Sequence, residues 1–345
     1  MELELRRAER RFASPLRTAF GTLEARAVVE VRVRAADGAE GIGEAAPLEP
    51  YDGVALNDVE VALEACRDAL RATDDGDREA LLAACEALRP PPQALAAVDL
   101  ALWDLAGRRA GLPVAALLAA APAAVVAVNA TIGAVGPVEA AAGAAAARAA
   151  GFECVKVKVG SGDDLGRVAA VREVLGPRAA IRLDANGAWE VPAAERALRE
   201  LSISGIELCE EPVHGAAAFA ALRERLDGLV PLAMDETAAE PGAVASGAAE
   251  LVCLKIAACG GITGLGRAAR AARDAGSEVY VASSLDGPAG IAAALHAAAA
   301  LGELRPCGLA TLGLFAGEEA ALFPVVRGRI AVPEEPGLGV AAASG

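Results

Sequence analysis

The chain has only two histidines, His214 and His296, among its 345 residues. That leaves little material for a histidine metal site or a Ser-His-Asp triad. Seven cysteines (66, 85, 154, 209, 253, 259 and 307) form no CxxC pair. Several lie inside apolar strand-like runs, the pattern of reduced core residues in a cytoplasmic protein. Positive charge is scarce: 32 Lys and Arg against 47 Asp and Glu give a net charge of −15. A phosphate backbone needs a basic face, so no nucleic-acid partner is expected. Long apolar runs are missing too. The alanine-rich stretch 140–150 is broken by Gly143 and Arg148, and it is too short and too weakly apolar to span a membrane. The opening Met1-Glu-Leu-Glu-Leu-Arg-Arg7 lacks the order of a signal peptide, which supports a cytoplasmic location.

What is present describes a folded chain long enough for one large domain or two of ordinary size. Hydrophobic content of 54% and charged content of 23% are globular values. Abundant alanine predicts many closely packed helices. Residues 27–34 alternate with period 2, and a turn at Asp37-Gly38 leads into Gly41-Ile-Gly-Glu-Ala-Ala-Pro47. This reads as a small antiparallel sheet. Helical spacing follows over 54–70, 78–88 and 93–110, broken by Pro90-Pro91-Pro92. Strands followed by helices predict an α+β domain.

From residue 122 the chain alternates strand and helix. Strands are expected at 125–130, 154–159, 180–183, 205–209, 230–233, 251–256, 278–282 and 309–314. Nearly eight βα units argue for a parallel barrel of the (β/α)₈ type over an open sheet. Ile330-Ala-Val-Pro333 is expected to return to the first domain as a closing strand.

The chemistry lies at the strand ends. Lys156 and Lys158 are two apart in an apolar strand, so both project to one face. Such a pair should depress each other's proton affinity and make a base available near neutral pH. On its own the segment reads better as an edge strand with protective lysines. The later strands decide. Asp184-Ala-Asn186, Glu210-Glu211-Pro212, Asp235-Glu236 and Lys255 each follow a strand, and the steps from Lys158 are 26, 26, 25 and 20 residues. One βα unit has about that length, so the five charged groups should converge at the C-terminal mouth of the barrel. Each acid alone would read as a helix cap. Three in phase repel each other unless a cation lies between them. All-oxygen ligation by Asp184, Glu210 and Asp235 suits Mg²⁺, with Mn²⁺ as a substitute. Lys158 and Lys255, flanking a metal-held carboxylate, suit abstraction of the proton α to it. Lys156 is expected to lower the pKa of Lys158.

These pieces resemble the enolase superfamily, in its muconate-lactonizing-enzyme subgroup. The resemblance covers nearly the whole chain. It is carried by Gly43-Glu44-Ala-Ala-Pro47, Ala101-Leu-Trp-Asp104-Leu-Ala-Gly107, Lys156-Val-Lys158, Asp184-Ala-Asn186, Glu210-Glu-Pro212, Asp235-Glu236, Lys255 with Gly260-Gly261, and Pro336-Gly-Leu-Gly-Val340. It implies an α+β capping domain over residues 1–122, closed by 323–345, on a (β/α)₇β barrel over 123–322. It implies a metal held by Asp184, Glu210 and Asp235, an acid/base pair of Lys158 and Lys255, and Asn186 and Glu236 as their supports. It also implies a small carboxylate substrate and association into a homo-oligomer. No histidine lies near the seventh strand, unlike the mandelate racemase subgroup. His214 reads as a loop residue and His296 as structural.

Within the subgroup, Pro306-Cys-Gly-Leu-Ala-Thr-Leu-Gly-Leu-Phe315, Pro15-Leu-Arg-Thr18 and Ser283-Ser284 look like the o-succinylbenzoate synthases, dehydratases of menaquinone synthesis. Dipeptide epimerases usually carry Asp-x-Asp at the eighth strand, and this chain has none there. Asp286 could still hold a substrate ammonium, which keeps epimerase or N-acylamino-acid racemase chemistry open. A muconate-type cycloisomerase ranks below both. The loop from Pro47 through Tyr51 to Gly53 is expected to close over the substrate, although an ordinary turn would look the same.

Overall fold

Period-2 alternation in the first 45 residues builds an antiparallel sheet of β1 (Glu2–Thr18), β2 (Gly21–Arg34) and β3 (Glu40–Ala45), in that order. The computed structural model describes residues 1–18, 21–74 and 76–341, Arg17 without its side chain. The Arg17 side chain of the Pro15–Thr18 motif and residues 342–345 of the tail therefore lie outside what is described. One turn of helix, α1 (Glu49–Asp52), precedes α2 (Leu56–Ala72), α3 (Arg78–Glu86), α4 (Pro92–Ala110) and the short α5 (Val114–Leu118). Val29, Val31 and Val33 of β2 share one face and meet Leu63, Leu81 and Val98 of the helices in one core. Helix α4 lies almost in contact with β3. A Cβ on Gly43 would stand 2.0 Å from the Ala97 carbonyl oxygen, so only glycine allows this approach.

The second half is a parallel sheet. β5 (Ala130–Ile132), β6 (Cys154–Lys158), β7 (Ala180–Asp184), β8 (Leu208–Glu210), β9 (Leu232–Met234), β10 (Leu251–Lys255) and β11 (Glu278–Ala282) are hydrogen-bonded in sequence order. Helices α6 (Pro137–Ala149), α7 (Asp164–Leu175), α8 (Val191–Leu201), α9 (Ala216–Leu226), α10 (Ile262–Asp274) and α11 (Pro288–Ala300) cover it outside. Only 3₁₀ turns separate β9 from β10. The outer strand ends are joined through residues 307 and 308, which bridge Val128 on one side and Ala282 on the other. This closes a (β/α)₇β barrel, with the first sheet and its helices as a cap.

Three expectations need correction. Residues 309–314 do not form the eighth strand; closure uses Cys307 and Gly308, and Leu312–Leu314 is a 3₁₀ turn. Gly308 permits it, because a Cβ there would lie 2.9 Å from the Ala282 Cβ. The run 125–130 divides into two elements. Its first part, β4 (Val125–Ala127), pairs antiparallel with β12 (Arg329–Ala331). The 330–333 segment therefore pairs with β4 and not with the first sheet. The tail reaches the cap further on, where the Leu338 amide donates to Asp104 Oδ1 at 2.7 Å.

Strand parity governs the barrel. Val155, Val157, Ile181, Leu183, Leu232 and Met234 face outward into the helical layer around α6–α9. The alternate residues face the lumen, where Leu208, Ala233, Leu251, Cys253, Tyr280 and Ala282 form a small cluster of their own. Directly above that cluster the same parity delivers charged residues.

Gly43→Ala should lower the unfolding free energy by about 1–3 kcal/mol through overpacking, read from the urea midpoint. His296 is fully buried in α11, its Nδ1 accepting from the Ala115 amide at 3.2 Å. Burial lowers its pKa from 6.5 to about 4. The unfolded chain then takes up the proton first, so this group costs stability as pH falls from 6.5 towards 4. In urea titrations across that range, His296→Gln should lose less stability than the parent, by up to about 1.4 kcal/mol per pH unit.

Candidate active site

The C-terminal ends of β6 to β10 carry the charged residues to one mouth. Register pairs Lys158 with Asp184 and Asp184 with Glu210 across adjacent strands. Lys156 Nζ donates to Glu210 Oε1 at 2.8 Å and stands 2.7 Å from Asp184 Oδ2. Lys158 Nζ donates to the same Asp184 oxygen at 2.7 Å and to Asn186 Oδ1. The Asn186 amide group continues to Glu236 Oε1 at 2.8 Å. On the other side, Lys255 Nζ donates to Asp235 at 2.6 Å and to the Tyr51 hydroxyl. Lys158 is on β6 and Lys255 on β10, four strands apart in the sheet order. In a barrel closed by an eighth segment those are opposite walls, with the carboxylates between them.

Electrostatics separate the three lysines. Burial alone would lower the affinity of Lys156 for its proton, but Asp184 and Glu210 outweigh it, and its pKa is well above the usual value. The expected depression does not occur at Lys156, because two carboxylates stand closer to its ammonium than any like charge. Lys255 is likewise raised: burial opposes, and Asp235 wins. Asp184 is buried, yet Lys156 and Lys158 hold its carboxyl well below the ordinary range. Burial raises Glu210 and Glu236. Lys158 has the most open side chain of the three, at 26% exposure against 15% and 10%.

The fifth acid, Glu211, is not a mouth residue. It accepts from the Asp235 and Thr237 amides at 2.8 and 3.0 Å and from His214 at 3.0 Å. Glu211 and Asn186 both take positive φ, 40° and 45°. These bonds hold the uncommon backbone in place just past the strand ends. His214 is an exposed loop residue here, and His296 lies in the core.

The substrate-side candidates lie in two loops that meet. Tyr51 sits against Lys255, its ring centroid 4.4 Å from Nζ. After β11, the Ser284 amide donates to Asp286 Oδ2 at 3.0 Å and the Asp286 amide to Ser283 Oγ at 2.9 Å. Asp286 is thus built into its own turn, and burial raises its pKa. A residue not singled out from sequence joins the loops. Arg26 of β2, 3% exposed, donates to the carbonyls of Ala46, Pro47, Ser284 and Leu285 at 3.0, 2.6, 3.2 and 3.3 Å. A lone arginine in a strand gives no sequence signal for this. Tyr280, also missed, donates to Glu210 Oε2 at 2.8 Å. Its signal was parity: it is the one aromatic on the inward face of a barrel strand beside the site.

The acids suit a hard divalent cation. Among the described residues, the ligand atoms of Glu210, Asp235 and Cys253 lie within 4.8 Å of one another. Asp184, expected in that trio, instead turns to Lys156 and Lys158. Burial holds Cys253 as a thiol by pushing its pKa well up, and a hard cation prefers oxygen. Asp235 Oδ1 and Glu236 Oε2 are buried without a hydrogen-bond donor, Asp235 Oδ1 having only its ion pair with Lys255. Carboxylate oxygens left this way, beside ammonium groups occupying the others, fit a cation site.

Comparison with known proteins identifies the family and the fold. Residues 1–119 match the mandelate racemase / muconate lactonizing enzyme N-terminal domain, and residues 139–343 match the enolase C-terminal domain-like family. The o-succinylbenzoate synthase of Thermobifida fusca (strain YX) is 39% identical over 189 residues, 51% of this chain and 58% of that protein. The chain thus spans a little over half the length of that curated relative. The dipeptide epimerase of Enterococcus faecalis V583, solved with Mg and L-Leu-L-Tyr, superposes with a TM-score of 0.91 at 25% identity, covering 99% of each chain. The muconate lactonizing enzyme of Pseudomonas fluorescens, solved with muconolactone, gives 0.90 at 27% identity, covering 99% of this chain and 95% of that one. No helix among the described residues is long and apolar enough to cross a membrane. The chain belongs to the mandelate racemase/muconate lactonizing enzyme family of the enolase superfamily.

Proposed function

We propose that this protein is a cytoplasmic, Mg²⁺-dependent o-succinylbenzoate synthase, dehydrating 2-succinyl-6-hydroxy-2,4-cyclohexadiene-1-carboxylate in menaquinone synthesis. The observation that carries the reaction class is the placement of Lys158 and Lys255 on opposite walls with carboxylates between them. A hard divalent cation, Mg²⁺ or Mn²⁺, held by Asp184, Glu210 and Asp235 would supply positive charge to the substrate carboxylate and to the enediolate formed from it. Lys158, as a free amine, takes the C1 proton. Its ammonium then protonates the C6 hydroxyl, which leaves as water, and the ring becomes aromatic. Lys158 ends as the amine it began as. Lys255, whose proton is held tightly by Asp235, remains a cation beside the developing negative charge. Lys156 balances Asp184 and Glu210 and takes no part in proton transfer. Asn186 orients Lys158, and Glu236 orients Asn186. Pro47, Tyr51, Ser283 and Ser284 border the substrate.

Two features favour dehydration. The Thermobifida fusca relative carries that name, and Asp286 is committed to its own turn, leaving it poorly placed to hold a substrate ammonium. The second reading is a dipeptide epimerase or N-acylamino-acid racemase. Lysines on opposite walls could serve both faces of an α carbon, and the Enterococcus faecalis neighbour is an epimerase.

The test is to incubate the protein and Mg²⁺ with the cyclohexadiene substrate and, separately, with L,L- and L,D-dipeptides and N-acylamino acids. Turnover of the cyclohexadiene is expected; turnover of the others alone would overturn the assignment. Lys158→Ala should lose at least about 10²–10⁴-fold in kcat, while Lys255→Ala keeps measurable dehydration. Equal loss in both would point to two-base chemistry. Arg26→Ala should lower kcat/KM by about 10–100-fold, because the two loops it joins shift against the mouth. Arg26→Lys should recover little of this, since an ammonium cannot span four carbonyls. Steady-state kinetics on the three proteins check it.

A further inference from the structure

Tyr280 is one of only two tyrosines in the chain, and it is 1% exposed on the inward face of β11. Register sets it opposite Cys253, two residues below the level of Lys255. From there it reaches Glu210 on β8, three strands away in the sheet order. Its hydroxyl donates to Glu210 Oε2, and Lys156 donates to Glu210 Oε1, both at 2.8 Å. The two oxygens of one buried carboxylate are therefore assigned to different partners.

The ring is itself held. The Arg182 guanidinium lies 4.9 Å from its centroid. Arg182, fully buried, donates to Glu207 at 2.7 Å and to the Pro306 carbonyl at 2.6 Å. Closing the barrel at residues 306–308 thus fixes Arg182, Arg182 backs Tyr280, and Tyr280 backs Glu210. A core aromatic would need only its area buried. This one spends its single donor on an acid of the mouth.

We infer that Tyr280 is a positioning residue of the cation site: it fixes the rotation of the Glu210 carboxylate, so that Oε1, which also accepts from Lys156, is the oxygen offered to a divalent cation. This rests on the cation site proposed above. Partners of this kind, one bond removed from a metal, typically cost about 10–100-fold in metal affinity when removed.

Calorimetric titration of the full chain with Mg²⁺ and with Mn²⁺ tests it. Tyr280→Phe keeps the ring and removes only the donor. Its Kd is expected to rise about 10–100-fold, with a metal-free unfolding temperature close to that of the parent. A second arm needs no change at Tyr280. In a Tyr51→Phe background Tyr280 is the sole tyrosine, and its near-ultraviolet absorption should shift when Mg²⁺ is added. The shift should vanish with Glu210→Gln. Tyr280→Phe binding Mg²⁺ as the parent does would overturn the inference, as would an unmoved tyrosine band in a protein that binds the cation. If Tyr280→Phe does not fold, the absorption arm decides alone. A parent chain that binds neither cation would instead overturn the cation site itself.

Discussion

Like charges forced together at the barrel mouth are the constraint on which the site depends. Glu210 and Asp235 bring oxygens within 4.8 Å of each other. Two unit charges at that separation repel by about 3–4 kcal/mol at an effective dielectric of 20. Parity and register leave no freedom to avoid this, because Glu210 ends β8 and Asp235 directly follows β9, its hydrogen-bonded neighbour. Compensation must come from cations in the same mouth. Lys156, Lys158 and Lys255 supply it, and their placement accounts for the raised affinity of Lys156 and Lys255 for protons and the lowered affinity of Asp184.

The cap turns this charged mouth into a shaped one. Tyr51 comes from α1, the single helical turn after β3, and meets Lys255 directly. Arg26 binds the loop leading into that turn and the loop after β11 through main-chain carbonyls, so it joins the cap to the barrel regardless of the side chains that line either loop. Glu44 adds a second link, accepting from the Gly287 amide at 2.6 Å. Burial lifts the pKa of Glu44 to about 7. Cap and barrel are therefore tied together beside the mouth, while the three lysines and the acids they pair with all come from the barrel.

Much of this was legible in the residues themselves. The spacing of Lys158, Asp184, Glu210, Asp235 and Lys255 follows the βα period, and that period places strand ends on one rim. Helix limits were close, with α4 over Pro92–Ala110 against an expected 93–110. Other features had no local signal. The eighth strand was misplaced because apolar content at 309–314 outweighed a closing segment of two residues. The proton affinity of Lys156 departs from expectation because a neighbouring lysine is visible in sequence, whereas the carboxylates that raise it belong to other strands. Arg26 and Tyr280 act across separations of 258 and 70 residues, which no periodicity reports.

The sequence by itself determined which residue types meet at the mouth, since hydrophobic periodicity dictates the strands and strand ends dictate the rim. Only the tertiary structure decided which oxygen faces which ammonium. It also decided that Lys156 stays charged while Lys158 is the most open, and that Asp286 belongs to a turn. Those outcomes depend on distances of a few ångströms between strands far apart in the chain, and on burial, which sets the strength of each charge. Neither quantity exists until the barrel closes.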